Sequence, residues 1–161
     1  MRYVVGIADM KTSTEKDDEI ITYALGSCLG ITVYDPLAKV GGMLHVMLPD
    51  STIDPEKAEK NPYMFIDTGL PLLFHTLYRY GAKKERIIIK VAGGGAWIGG
   101  RDGDTRFQIG KRNFAKLRQV LWKNGVFLNA HDIGGESSRT MRLDVGTGEV
   151  MLRVNDVTTK L

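Results

Sequence analysis

The chain holds one cysteine, Cys28, and its next reactive neighbour along the sequence is His45. Between them lies a hairpin signal. Leu29-Gly30-Ile31-Thr32-Val33-Tyr34 is rich in branched residues, and Asp35-Pro36-Leu37-Ala38 is a turn with Pro at its favoured second position. Residues 41–48 form the returning strand, stopped by Pro49. A two-residue loop at Pro36-Leu37 sets Cys28 directly opposite His45, whereas a four-residue loop from Pro36 to Lys39 makes them a diagonal pair. Both registers keep the side chains on one face, with Cβ atoms about 4.5–8 Å apart. A three-residue loop would put them on opposite faces.

A cysteine beside a histidine can do acyl chemistry. The nucleophile is the thiolate, and a free thiol with a pKa of about 8.5 is only a few per cent ionised at neutral pH. An imidazole can take that proton and return it to a leaving group. Thr22 could orient the imidazole, through its hydroxyl or its carbonyl oxygen, in the role that triads assign to Asp or Asn. Gly26 and Ser27 permit a tight turn in which the Cys28 N–H could face an oxyanion. The competing reading is that a lone cysteine in a strand is a small buried hydrophobe.

The elements that must position these groups follow from the rest of the chain. At 161 residues, the whole of 1–161 reads as a single domain, with 155–161 a loose C-terminal tail. Apolar residues at 43% and charged residues at 25% exclude a disordered or fibrous chain. No apolar run reaches the roughly 18 residues that span a bilayer, and the N-terminus lacks a signal peptide's apolar stretch. The expectation is a cytoplasmic protein with no membrane insertion. A net charge of +3 is too small to indicate a nucleic-acid partner, and one cysteine excludes an internal disulfide or a cysteine-based zinc site.

Strands are expected at Val4–Ala8, Ile20–Leu25, within the hairpin, at Arg86–Ala92 and Val126–Ala130, and in a final hairpin of Thr140–Val145 against Glu149–Val154. Residues 9–18 read as a polar loop. Helical spacing marks Leu70, Leu73, Phe74, Leu77 and Tyr78, with Pro71 in the first turn and Gly81 at the end. A second helix carries Phe114, Leu117, Val120 and Leu121 and ends at Asn124-Gly125. Strands dominate without regular βαβ alternation, which argues an α+β fold with helices layered on antiparallel or mixed sheets.

Other features read as structural. The glycine cluster of residues 93–100 fails both phosphate-loop patterns and reads as a turn or a rim loop, with Trp97 a docking residue or a lid over the core. Asp102 and Asp104 lack the downstream Glu of a calcium loop. His75 reads as a surface or core-edge histidine, His131 precedes Asp132 near a strand end, and no metal is assigned. Lys111, Arg112, Lys116, Arg118 and Lys123 read as a solvated helix face. Asn113 reads as a packing or capping residue.

The motifs Leu25-Gly26-Ser27-Cys28 and His45-Val46-Met47-Leu48-Pro49 resemble the paired signature of the CheD chemoreceptor glutamine deamidase family. Lys90-Val91-Ala92-Gly93-Gly94-Gly95-Ala96, Ile109-Gly110-Lys111-Arg112-Asn113 and Asp132-Ile133-Gly134-Gly135 followed by Arg139 match in the same order, covering nearly the whole chain. The resemblance implies a three-layer α/β/β sandwich with helices packed on one side, and a catalytic triad of Cys28, His45 and Thr22. It implies hydrolysis of selected glutamine side chains on methyl-accepting chemotaxis receptors through a thioester, with no cofactor. Some methylesterase activity on the same receptors would use the same acyl chemistry. The CheC phosphatase, which acts on phosphorylated CheY, is an implied partner. The alternative is a non-catalytic binding module that regulates CheC.

Overall fold

The structure, a computed structural model, describes residues 1–95 and 105–161. Its strands are β1 (Arg2–Val4), β2 (Asp9–Ser13), β3 (Glu19–Leu25), β4 (Leu29–Asp35), β5 (Val40–Val46), β6 (Ile88–Gly93), β7 (Ala130–Ile133), β8 (Arg139–Asp144), β9 (Val150–Val154) and β10 (Val157–Lys160). The helices are α1 (Pro55–Lys60), α2 (Ile66–Arg79) and α3 (Thr105–Lys123). Two five-stranded sheets result, one ordered β1-β3-β8-β9-β10 and the other β2-β5-β4-β6-β7. Both are mixed, because β1 runs parallel to β3 and β6 parallel to β7.

The alternation of β4 and β5 builds the layers. Leu29, Ile31, Val33, Leu44 and Val46 pack beneath α2 and α3, in a core completed by Leu70, Leu73, Leu77, Leu117 and Leu121. The opposite face sends Tyr34 and Met43 into a second core between the sheets, against Ile20, Leu25, Met141, Leu143 and Leu152. Helices, inner sheet and outer sheet form the α/β/β sandwich, an α+β fold as expected.

Several elements differ from the sequence expectations. The polar stretch after Ala8 contains β2, which pairs antiparallel with β5 at the sheet's edge. Four of its five residues are only half buried, and they carry no apolar alternation to announce a strand. Pro71 lies in the second turn of α2, since the helix begins at Ile66. The strand expected at Val126–Ala130 starts at Ala130 instead. The terminal segment is not loose: Asn155 and Asp156 turn the chain with positive φ, β10 pairs with β9, and Leu161 N–H donates to Val150 O at 2.9 Å. Trp97, Asp102 and Asp104 lie outside the described residues, as does the glycine cluster beyond Gly95. Among the described residues, no helix is long and apolar enough to cross a membrane.

Candidate active site

The β4–β5 register resolves the hairpin geometry. Asp35 pairs with Val40 and Gly30 with His45, so Pro36 to Lys39 is a four-residue loop and Cys28 stands diagonally from His45 on the same face. The Asp35 carboxylate organises that loop, accepting from Leu37 N at 2.9 Å and Ala38 N at 3.0 Å. Lys39 takes the positive φ that closes it. Gly30 lies between the two reactive residues, and a Cβ there would press on Leu25 and Met141 of the outer sheet.

Thr22 comes from the outer sheet. Its neighbours in β3 contain a bulge: Thr22 pairs with Met141 and Leu25 with Arg139, so Tyr23 and Ala24 together oppose Thr140. Ala24 adopts φ 57°, a left-handed conformation that costs a non-glycine residue about 1–2 kcal/mol. Residues three apart in a regular strand face opposite sides. The bulge lets both Thr22 and Leu25 point into the sandwich, and both are fully buried.

The Thr22 hydroxyl has one proton, donated to Val5 O at 2.8 Å. Its 2.7 Å contact with His45 Nδ1 is therefore a bond received from Nδ1–H. That fixes the tautomer and leaves the lone pair on Nε2, which is buried and has no hydrogen-bond partner among the described residues. Burial pushes the His45 pKa down to about 4, with the negative charge of Asp9 acting in the opposite direction. Asp9 pairs with His45 across β2–β5. The ring is a neutral base held ready at ordinary pH.

Cys28 is partly buried and packs against the inter-sheet core. Burial pushes its thiol pKa up, while its own backbone N–H pulls the other way. No hydrogen bond joins its sulfur to the imidazole, so Thr22 and His45 are in contact and Cys28 is adjacent in register only. The turn that carries it is fixed at three successive carbonyls. Gly26 O accepts from Gly95 N at 2.8 Å, Ser27 O from Asn113 Nδ2 at 3.0 Å, and Cys28 O from Gly94 N at 3.0 Å. Gly93, at φ 117°, lies so close that a Cβ would run into the Cys28 carbonyl oxygen.

Two residues at the site have roles that the sequence pattern concealed. Asn113 is fully buried and its Nδ2 also donates to Met47 O at 3.0 Å, tying the cysteine turn to the strand end that follows His45. It is a clamp rather than a cap. Its motif position marked it, but the partners are 86 and 66 residues away. Asp9 was hidden in a stretch that read as loop. The remaining histidines stand apart: His75 stacks edge-on with Tyr78 on α2, and His131 packs on Phe114 with ring centroids 5.4 Å apart.

Fold and site together define a class: a three-layer sandwich domain with a cysteine in a tight turn and a tautomer-fixed histidine behind it. Comparison with known proteins narrows the class. The family described as CheD chemotactic sensory transduction matches residues 47–154. A relative from Solibacter usitatus, named probable chemoreceptor glutamine deamidase CheD, is 47% identical over 152 residues, covering 94% of this chain and 88% of the relative. A relative from Syntrophus aciditrophicus bearing the name CheD 1 is 46% identical, with 93% and 92% covered. One from Anaeromyxobacter dehalogenans, CheD 2, is 43% identical, with 94% of each chain covered. This chain belongs to the CheD family.

Proposed function

We propose that this protein hydrolyses glutamine side chains of methyl-accepting chemotaxis receptors to glutamate, with Cys28 as nucleophile, His45 as general base and acid, and Thr22 as the group that orients the imidazole. The observation that carries the reading is the hydroxyl of Thr22. By donating to Val5 O it obliges His45 to keep its proton on Nδ1, and so leaves the basic lone pair on Nε2, in a side chain that shares its sheet face with Cys28. A neutral base and a protonated thiol are the resting state. As the Cys28 sulfur attacks the amide carbon, Nε2 accepts the thiol proton and then delivers it to the departing ammonia. Water, deprotonated by the same nitrogen, hydrolyses the thioester and restores the thiol.

The Cys28 backbone N–H is the candidate donor for the oxyanion of each tetrahedral intermediate. Three anchored carbonyls around Gly26 and Ser27 keep that turn in place, so little reorganisation is needed when charge develops. A glutamate methyl ester reaches the same thioester with methanol as the leaving group, which extends the chemistry to methylesterase activity.

A second reading, a binding module that regulates the CheC phosphatase, is favoured by the unlinked sulfur and its raised pKa. Mass spectrometry decides between them. A purified receptor cytoplasmic fragment, incubated with wild type, Cys28→Ala and His45→Ala, gains about one dalton per converted glutamine only with wild type. An unchanged fragment from folded wild-type protein supports the binding module.

A further inference from the structure

The charges of α3 are one-sided. Its sequence contains Arg106, Lys111, Arg112, Lys116, Arg118 and Lys123, and neither Asp nor Glu. Lys116 is taken up by Asp50 at 3.0 Å. Arg112, Arg118 and Lys123 are exposed and form no ion pair among the described residues. The outer face also carries a stripe at positions 111, 115, 118 and 122, spacing that aligns along one side of a helix.

That stripe ends in Trp122, which is 82% exposed, beside Phe127 at 84%. Two large aromatics so open to water are unusual for an isolated chain. They border a cleft of about 330 Å³ whose floor includes Leu121 and Val126. A second cleft, of about 340 Å³, begins at Gly94, whose N–H holds the Cys28 carbonyl, and runs along Ala115 to Arg118. Arg118 lines both clefts, so the surface is continuous from the cysteine turn to the aromatic pair. The twelve residues from 111 to 122, eleven helical rises, give it a length of about 16 Å. Ala115, exposed at its middle, lets another helix approach closely.

We infer that the outer face of α3 is a docking track for an acidic helical segment of the protein substrate, with Trp122 and Phe127 gripping an apolar residue of that segment. The inference rests on the deamidase reading above, since it takes the occupant to be the protein that carries the glutamine. Charge decides against a second copy of this chain: a twofold contact across α3 would set a mainly basic face, whose neighbouring Asp50 is already held by Lys116, against itself. Continuity with the cysteine turn favours the substrate over a regulator bound elsewhere.

The test compares Trp122→Ala and the triple variant Arg112→Glu/Arg118→Glu/Lys123→Glu with wild type on two substrates. One is the receptor cytoplasmic fragment. The other is a short peptide bearing the same glutamine, too short to reach from Cys28 to Trp122. On the fragment, kcat/KM falls roughly 10-fold for Trp122→Ala and further for the triple variant, mainly through KM. On the peptide, and in alkylation of Cys28, the variants match wild type. Raising salt weakens wild-type binding to the fragment and leaves the triple variant unaffected. Equal losses on fragment and peptide, or no loss on either, overturn the inference, as does selective loss of CheC binding. If wild type binds the fragment without converting it, the deamidase reading fails, and direct binding of the same variants still decides the track.

Discussion

The two faces of the β4–β5 hairpin differ in kind. The face beneath the helices is uniformly apolar, with Leu29, Ile31, Val33, Leu44 and Val46 all closed to water. The face toward the outer sheet carries Gly30, Thr32, Gly41 and His45 among its apolar residues, and it keeps a buried nitrogen with no partner among the described residues. A close-packed layer supports one side so that the other can hold a polar group in a costly state. An unpaired buried polar atom costs about 1–3 kcal/mol, which an apolar helix-covered layer can offset. On the proposed reading, stability belongs to one face and chemistry to the other.

Substitution on each face tests that division most strongly. Cys28→Ala is expected to abolish glutamine conversion, a loss of at least about 1,000-fold, with unfolding midpoints close to wild type. Leu44→Ala, on the helix side, is expected to lower stability by about 2–5 kcal/mol while kcat per folded molecule holds. Denaturant titration and turnover measured on the same samples separate the effects. Should Leu44→Ala reduce kcat as deeply as it reduces stability, the faces are not independent.

Acid should act through the inter-sheet face. Folding depresses the His45 pKa to about 4 from an unfolded value of about 6.5. The unfolded state therefore binds more protons in between, so this contribution is full above pH 6.5 and is lost as pH falls toward 4. From pH 7 to 4.5 the loss is about 2–3 kcal/mol, at 1.36 kcal/mol per pH unit. His45→Gln should flatten that slope in denaturant titrations; an equal slope would show that other groups drive it. Alkylation of Cys28 offers an independent check. With the thiol raised by burial and unlinked to the ring, the rate should climb with pH through a midpoint above that of a free thiol. A plateau between pH 5 and 7 would reveal a thiolate–imidazolium pair instead.

The legibility of the two faces also differed. The hairpin, both long helices and the final strand pair announced themselves through periodicity, because burying an apolar face demands it. The pairing of Cys28 with His45 narrowed to two registers, since the chain from Asp35 to Val40 allowed either turn. What chose between them was the Asp35 carboxylate, which accepts from Leu37 and Ala38 and from Lys83 N and Arg86 far along the chain. The bulge at Tyr23-Ala24 left no sequence signal, yet it alone lets Thr22 and Leu25 share a side. Edge strands β2 and β10 were missed for a common reason: one flank is open, so neither needs an apolar pattern.

Thr22 sharpens the comparison at the level of a single hydroxyl. Thr22→Val keeps shape and volume but leaves His45 Nδ1–H and Val5 O without their partner. A stability loss of about 1–3 kcal/mol is expected, together with a fall in kcat of about 10-fold or more as the imidazole loses its fixed tautomer. Thr22→Ser restores the oxygen and should recover most of both. A valine variant with wild-type kcat would remove Thr22 from the mechanism and leave it a packing residue.

Asn113 is where the helix layer reaches the proposed site, and so it offers the finest way to break the division. It belongs to α3, yet its amide holds Ser27 O and Met47 O, one on each reacting segment. Asn113→Ala removes two hydrogen bonds, expected to cost about 1–2 kcal/mol in stability. A residue that served packing alone would stop there. As a positioning residue it should also loosen the cysteine turn, lowering kcat about 5-fold with KM little changed, because the Cys28 N–H and sulfur would no longer be held in one orientation. Asn113→Asp is the sharper variant. It matches the volume, but its carboxylate oxygens face two carbonyls that need donors, so at neutral pH it should lose more rate than alanine. Activity should return as pH falls and the carboxyl, raised by burial, gains a proton it can donate. A pH profile for Asn113→Asp identical to that of Asn113→Ala would mean that the amide's two hydrogen bonds do not govern the turn.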